Sequence, residues 1–101
     1  MATISLIDAD SVRPGSAAEV VANGKIFAVF NVAGRFHVID GICPHAGGPL
    51  GKGMLRGEIV TCPWHGWQFN VSTGHHCLNQ RLCQTRYDVR VEDGKIIVEI
   101  T

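Results

Sequence analysis

The sequence lacks the features that mark nucleic-acid-binding, secreted and membrane proteins. Nine Lys and Arg residues balance nine Asp and Glu residues, without a basic stripe, so the usual attraction to nucleic acids is missing. No apolar run approaches the length of a membrane span, and the start Met-Ala-Thr-Ile-Ser lacks the positive charge and long apolar stretch of a signal peptide. We therefore expect no nucleic-acid partner, no membrane partner and a cytoplasmic location.

The chain also lacks the length for more than one hydrophobic core. Its 101 residues suffice for one domain, but not for a catalytic domain beside a separate cofactor domain. Hydrophobic residues make up 46% of the chain and charged residues 18%, a composition that can bury enough apolar surface to fold. We expect a single domain over residues 1–101, with monomer as the default state.

Long segments with helical periodicity are absent, whereas short β-prone runs are frequent. Strands are predicted at residues 4–7, 19–22, 25–32, 35–40, 86–91 and 95–100. Asn23-Gly24 suits a type I′ hairpin turn, and Asp93-Gly94 joins the two clearest alternating runs. Residues 8–16 form a predicted loop that could hold one helical turn. The pattern predicts an all-β fold, either a sandwich or a barrel.

The middle of the chain is rich in glycine and proline. Residues 41–53 contain five glycines and two prolines, and residues 62–74 contain Pro63, Gly66 and Gly74. Both segments are predicted as loops and not as strands. Residues 54–61 between them resemble a short hairpin turning at Arg56-Gly57, which would bring the two loops side by side.

Each of these loops contains one cysteine and one histidine. The segments are Cys43-Pro44-His45 and Cys62-Pro63-Trp64-His65, with sixteen residues between His45 and Cys62. Thiolates are strong ligands of iron-sulfur clusters, and imidazole also binds iron. Nearby glycines allow the backbone to approach a bulky inorganic group and to point N–H groups at its sulfurs. The pattern favours a cluster with Cys43 and Cys62 on one iron and His45 and His65 on the other.

The same residues resemble the signature of the Rieske family. The resemblance covers Cys43-Pro-His45-Ala-Gly-Gly-Pro-Leu50, then Cys62-Pro-Trp-His65-Gly-Trp-Gln-Phe69, then Thr73-Gly74. It implies one Rieske-type 2Fe-2S cluster. It also implies an all-β fold of stacked antiparallel sheets, with a small two-loop cluster-binding lobe at about residues 41–74 inserted in the β base.

The sequence departs from the cytochrome bc type of Rieske protein. In that type a cysteine in each loop forms a disulfide, whereas the matching residues here are Gly48 and Trp64. That type also carries Ser and Tyr hydroxyls beside the cluster, whereas the matching residues here are Trp67 and Phe69. We expect an unclamped cluster with a potential towards the low end of the Rieske range of roughly −150 to +300 mV.

The resemblance is greatest to the free-standing ferredoxins of aromatic-ring dioxygenase systems. It implies a non-enzymatic electron carrier that accepts electrons from a flavoprotein reductase and passes them singly to a terminal oxygenase. The alternative is a Rieske small subunit of a complex similar to NADH-dependent nitrite reductase. The chain is too short to be the oxygenase itself, because it has no room for a further domain with a two-His, one-carboxylate iron site.

Several residues also have simpler interpretations. Two Cys and two His could hold zinc, but known zinc patterns pair Cys with Cys and His with His, whereas each loop here mixes them. Cys77 and Cys83 are expected to be structural or free thiols and not a disulfide. His37 is explained by a strand face, and His75-His76 by a solvated turn. Trp64 and Trp67 lie beside the proposed ligands, where they could shield the cluster and shape a docking surface.

Overall fold

A computed structural model describes residues 2–44, 47–64, 66–79 and 81–100. The described residues form a nearly all-β fold of three antiparallel sheets, which confirms the predicted fold class. The strands are β1 (Ala2–Asp8), β2 (Ala17–Ala22), β3 (Lys25–Val32), β4 (Arg35–Asp40), β5 (Met54–Arg56), β6 (Ile59–Thr61), β7 (Gln68–Asn70), β8 (Arg86–Tyr87), β9 (Val89–Glu92) and β10 (Lys95–Ile100). The helical residues are two 3₁₀ turns, Ala9–Ser11 and Leu50–Lys52, and no helix among the described residues could cross a membrane.

The four-stranded sheet β2-β3-β4-β8 is the central layer. Strand β3 is buried on both faces, and its side chains alternate between two hydrophobic cores. Phe27 and Val29 pack with Ile96 and other residues of the outer sheet β1-β10-β9. Ala28 and Phe30 pack instead with a core built largely from residues 41–71. One face of the central sheet therefore forms part of the core beneath these residues.

Three two-residue hairpin turns fix the register of these sheets. Asn23 and Gly24 have φ angles of 51° and 72°, as a type I′ turn requires. Asp93-Gly94 also has positive φ at both residues, and so does Ala33-Gly34. The predicted strands at residues 25–32 and 35–40 consequently have the observed boundaries.

Three predictions of secondary structure were wrong in detail. The hairpin of residues 54–61 turns at Gly57-Glu58 and not at Arg56-Gly57, because Arg56 pairs with Ile59. The predicted strand at residues 86–91 is divided at Asp88, because Tyr87 pairs with Val38 of the central sheet whereas Val89 pairs with Val98 of the outer sheet. Residues 62–74, predicted as a loop, contain β7, which pairs with β6. Between β8 and β9 the chain passes from the central sheet to the outer sheet while polar and apolar residues keep alternating. The sequence pattern therefore does not reveal this break.

The third sheet, β5-β6-β7, continues beyond Gly74. Isolated bridges join Phe69 to His76 and His75 to Cys83, so residues 75–77 and 82–84 extend the pairing. We call residues 41–83 the lobe. Its sheet and turns place the two Cys-containing segments next to each other on the central layer.

Candidate metal centre

The first Cys-containing segment is held by backbone hydrogen bonds at its base. The Gly41 N–H donates to the Ile26 carbonyl at 2.9 Å, and the Gly41 carbonyl accepts from the Leu50 N–H at 2.9 Å. A Cβ at Gly41 would lie 2.6 Å from Ile26 Cγ2, so only glycine allows this approach. Within the loop, the Cys43 N–H donates to the Gly48 carbonyl at 2.8 Å. Cys43 is thereby fixed in a buried position, 1% exposed.

The second Cys-containing segment begins where β6 ends and closes where β7 begins. The Cys62 N–H donates to the Trp67 carbonyl at 2.7 Å, so the two ends of the loop are tied together. Cys62 is 2% exposed and belongs to the same hydrophobic core as Cys43. The β6-β7 pairing therefore places the Cys62 thiol in the same core as the Cys43 thiol.

The two thiols interact with each other. Burial raises the pKa of the Cys62 thiol, the Cys43 thiol beside it adds to the rise, and the Trp64 backbone N–H, which hydrogen-bonds to the sulfur, opposes it. Two thiolates in such a buried place need adjacent positive charge, which a metal supplies. An N–H donor aimed at a ligand sulfur also helps to set the reduction potential of a cluster. These observations fit an iron-sulfur group.

Gly48 leaves space beside Cys62. A Cβ on Gly48 would lie 2.5 Å from Cys62 Sγ and 3.0 Å from Trp64 Cβ. Gly48 and Trp64, the positions matched to the disulfide of the cytochrome bc type, are therefore neighbours in space. Neither residue can form that disulfide, so another interaction must connect the loops.

His45 and His65 lie outside the described residues. The described neighbours in each loop, Pro44 and Gly47 in the first and Trp64 and Gly66 in the second, are all exposed. The residues that flank the two predicted histidine ligands in the chain are therefore exposed, whereas Cys43 and Cys62 are buried.

His76 is not the solvated turn residue predicted from the sequence. It is 6% exposed, and its Nδ1 accepts hydrogen bonds from the Leu78 N–H at 3.0 Å and the Asn79 N–H at 3.1 Å. The ring lies edge-on to Trp67 and Phe69, at centroid distances of 4.6 Å and 5.2 Å. His76 is therefore a core residue that supports Trp67. The cross-strand bridge to Phe69 explains its burial, and this pairing is not visible from local sequence.

The expectations for Cys77, Cys83 and His37 are confirmed. Cys77 and Cys83 are free thiols. His37 pairs with Phe30 in the central sheet, and burial lowers the pKa of its imidazole. Trp64 is half exposed, whereas Trp67 packs against the core that contains both cysteines.

Sequence reasoning missed Gln84, which connects the two loop bases. Its side chain is 6% exposed, and its Nε2 donates to the carbonyls of Asp40, at 2.9 Å, and Ile42. Its backbone N–H donates to the Gly74 carbonyl at 2.7 Å, just after the second loop. One residue thus binds both the start of the first loop and the end of the second. No motif marks it, because its partners are backbone atoms.

Tyr87 supports the same region from the β base. Its hydroxyl donates to Asp40 Oδ1 at 2.6 Å, and burial, with the Asp40 carboxylate beside it, raises the pKa of Tyr87 to about 12. Phe27 packs edge-on against the Tyr87 ring at a centroid distance of 5.1 Å. Asp40, at the end of β4, therefore accepts a hydrogen bond from Gln84 through its backbone carbonyl and one from Tyr87 through its side chain. Both bonds anchor β4 where it leads into the first loop.

Comparison with known proteins identifies the family. The model of the Rieske [2Fe-2S] domain matches residues 3–96. The chain is 34% identical to the ferredoxin component of the p-cumate 2,3-dioxygenase system of Pseudomonas putida, over 96% of this chain and 85% of that protein. A match of 39% identity to cholesterol 7-desaturase of Ciona intestinalis covers 64% of this chain but only 14% of that longer protein.

Solved structures agree with this result. The fold superimposes on the ferredoxin of Sphingomonas yanoikuyae B1 with a TM-score of 0.89 and 30% identity, over 99% of this chain and 100% of that one. It superimposes with a TM-score of 0.86 and 28% identity on a chain from a complex of reduced oxygenase and oxidised ferredoxin in carbazole 1,9a-dioxygenase, over 95% and 91% of the two chains. Together with the buried thiol pair, these matches show that the chain belongs to the Rieske [2Fe-2S] domain family.

Proposed function

We propose that Cys43 and Cys62 bind one iron of the cluster and that His45 and His65 bind the other. The observation that supports this most directly is the interacting pair of buried thiols, each supplied by one of the two loops. Among residues 2–44, 47–64, 66–79 and 81–100, no group of three or more His, Cys, Asp or Glu side chains could hold a metal ion. His45 and His65, two and three positions after the cysteines, are thus the natural remaining ligands.

The cluster, when bound, accepts and releases one electron at a time. The two cysteines lie in a buried core that shields one side of the site from water. Leu50, Val60 and Phe69 are fully buried in the core that holds the cysteines, so they exclude water from the thiolate side. Pro44, Gly47, Trp64 and Gly66, which flank the two histidines in the chain, are exposed, so a short path to a partner is available on this side.

Ligand assignment is tested by spectroscopy of the purified protein before and after dithionite. We expect a red-brown protein with a low average g-value in the reduced state, as mixed Cys and His ligation gives. Cys43→Ser and Cys62→Ser should lose the cluster, and His45→Cys or His65→Cys should change its spectrum. Cys77→Ser and Cys83→Ser are the matched controls and should leave the spectrum unchanged. A colourless, zinc-containing wild-type protein would contradict the assignment.

We further propose that the chain acts as a monomer between a flavoprotein reductase and a terminal ring-hydroxylating oxygenase. Several relatives that it covers over most of their length are ferredoxin components of dioxygenase systems, and one solved relative is in complex with an oxygenase. The test is a stopped-flow assay with the reductase and oxygenase components of the p-cumate system. We expect the reductase to reduce the protein and the protein to reduce the oxygenase. Co-purification of the chain with a nitrite reductase large subunit, without transfer to an oxygenase, would favour the alternative subunit role.

A further inference from the structure

The lobe carries positive charge although the chain as a whole carries none. Residues 41–83 contain three basic residues, Lys52, Arg56 and Arg81, and one acidic residue, Glu58. The other six basic and eight acidic residues lie outside the lobe. All three basic residues of the lobe are exposed. The lobe therefore carries a net charge of +2, and the rest of the chain carries a net charge of −2.

Ion pairing leaves most of the positive charge of the lobe uncompensated. Four of the five ion pairs among the described residues lie wholly outside the lobe: Arg86–Asp88, Arg90–Glu92, Arg90–Glu99 and Lys95–Asp8. The fifth joins Lys52 to Glu19 at 3.8 Å, and because the Lys52 side chain is 67% exposed it neutralises little of that charge. Arg56 and Arg81 form no ion pair with any residue that the structure describes.

The acidic residue of the lobe is already engaged in hydrogen bonds. Glu58 accepts from the Asn70 amide at 3.4 Å and from the Ser72 hydroxyl at 3.3 Å. It is therefore less available to a partner than the two arginines. One electron on the cluster would lower the excess of two positive charges in the lobe but would not reverse it.

Exposed apolar side chains accompany these charges. Ile42, 44% exposed, adjoins Cys43, and Trp64, 50% exposed, follows Cys62 by two positions. Met54 and Leu78, also in the lobe, are 65% and 92% exposed. Apolar residues with polar or charged residues around them are typical of protein-binding surfaces.

We propose that the lobe docks on a protein partner whose contact surface presents both carboxylates and apolar side chains. The proposal rests on the proposed function, because the partner meant is the protein with which the cluster exchanges electrons. Complementary charge speeds and orients such encounters. A protein fits better than an anionic membrane, since membrane-binding segments usually cluster four to eight Lys or Arg residues and the lobe has only two unpaired ones.

The first test maps the charge directly by NMR of the oxidised holoprotein. Hexacyanochromate(III), a redox-inert paramagnetic trianion, should broaden the methyl signals of Met54 and Leu78 more than those of Val91, which is exposed on β9 outside the lobe. Tris(ethylenediamine)chromium(III), a trication, should show the opposite preference. Equal broadening of both regions by the trianion would overturn the proposal.

The second test measures how fast ferricyanide oxidises the reduced protein. Arg56→Glu changes the lobe charge by two units, and for a trianion at an assumed distance of about 15 Å this corresponds to about a fivefold slower reaction at 0.01 M ionic strength and almost no change at 0.5 M. Lys95→Glu, in the outer sheet, is the matched control and should slow the reaction less than twofold. Equal effects of the two variants would overturn the proposal.

The outcome with real partners separates this proposal from the proposed function. Failure of both the reductase and the oxygenase to exchange electrons, with a positive lobe confirmed by NMR, would reject the proposed partners but not the charge assignment. Efficient exchange that Arg56→Glu and Arg81→Glu do not weaken would reject the acidic docking surface alone. Tighter retention on vesicles containing phosphatidylserine than on neutral vesicles at 0.1 M salt would also reject it in favour of a membrane.

Discussion

Replacing Gln84 tests whether one buried amide holds the two loop bases together. In Gln84→Leu, both hydrogen bonds from Nε2 to the carbonyls of Asp40 and Ile42 are lost. Each buried hydrogen bond is worth about 1 kcal/mol, and more when its partner is left unpaired, so we expect the free energy of unfolding to fall by about 2–3 kcal/mol. For a domain of this size that corresponds to a melting temperature lower by roughly 8–20 °C.

The assay is urea unfolding of the holoprotein, followed by far-ultraviolet circular dichroism for the fold and by visible absorbance for the cluster. Gln68→Leu is the matched control, because Gln68 is exposed and its amide makes a single bond to Thr61 Oγ1 at 3.1 Å. We expect that control to change stability by less than about 0.5 kcal/mol. A Gln84→Leu protein that is no less stable than Gln68→Leu would refute the reasoning.

Gln84→Glu adds a second, sharper test with almost no change in shape. The new carboxyl would face two carbonyl oxygens in a buried place, so its folded-state pKa should rise above the ordinary value of about 4.3. The unfolded chain then loses its proton first as the pH rises, and the variant should become progressively less stable than wild type above about pH 4.3. A difference in stability that does not change between pH 4 and pH 8, a range on either side of most of that transition, would show that Gln84 does not face those carbonyls.

Three other measurements examine the site and its support. Gly48→Ala should destabilise the holoprotein and hasten cluster loss to a chelator, since its methyl group would meet Cys62 Sγ at 2.5 Å; unchanged bleaching kinetics would contradict this. Tyr87 has a pKa of about 12, above the ordinary value of 10.0, so the unfolded state ionises first and wild type should lose about 2 kcal/mol between pH 9 and pH 11.5. Tyr87→Phe should not show that alkaline loss, and equal losses in urea titrations would disprove the role of the phenol. Voltammetry should give a potential in the lower part of the Rieske range, and a value above about +100 mV would exclude an unclamped, low-potential centre.

The sequence predicted well those parts of the fold that depend on local chemistry. The hairpin from β3 to β4 follows from alternating apolar residues and from a turn whose residues tolerate positive φ. The pairing of the Cys-containing loops was likewise predicted, because the short hairpin between them leaves little freedom. Its turn residues are Gly57 and Glu58, one position later than predicted.

The parts that escaped prediction depend on contacts between distant segments. The residues next to His76 in the sequence predict a turn, but its bridge to Phe69 places the ring in the core. The division between β8 and β9 arises because the first half of one alternating run pairs with β4 of the central sheet and the second half pairs with β10 of the outer sheet. Gln84 contacts carbonyls more than forty positions away, a separation across which the sequence carries no readable signal.

The two-sided burial of β3 has a consequence for protein engineering. A designer who wished to transplant the redox module as a short peptide of residues 41–83 would leave behind Ala28, Phe30 and Ile39, which form one wall of its interior. The excised peptide would expose that interior to solvent and could not keep its thiols dry. Adding only the β3-β4 hairpin would not be enough, because Phe27 and Val29 on its other face pack against the outer sheet. The lobe can therefore be transferred only together with the β base.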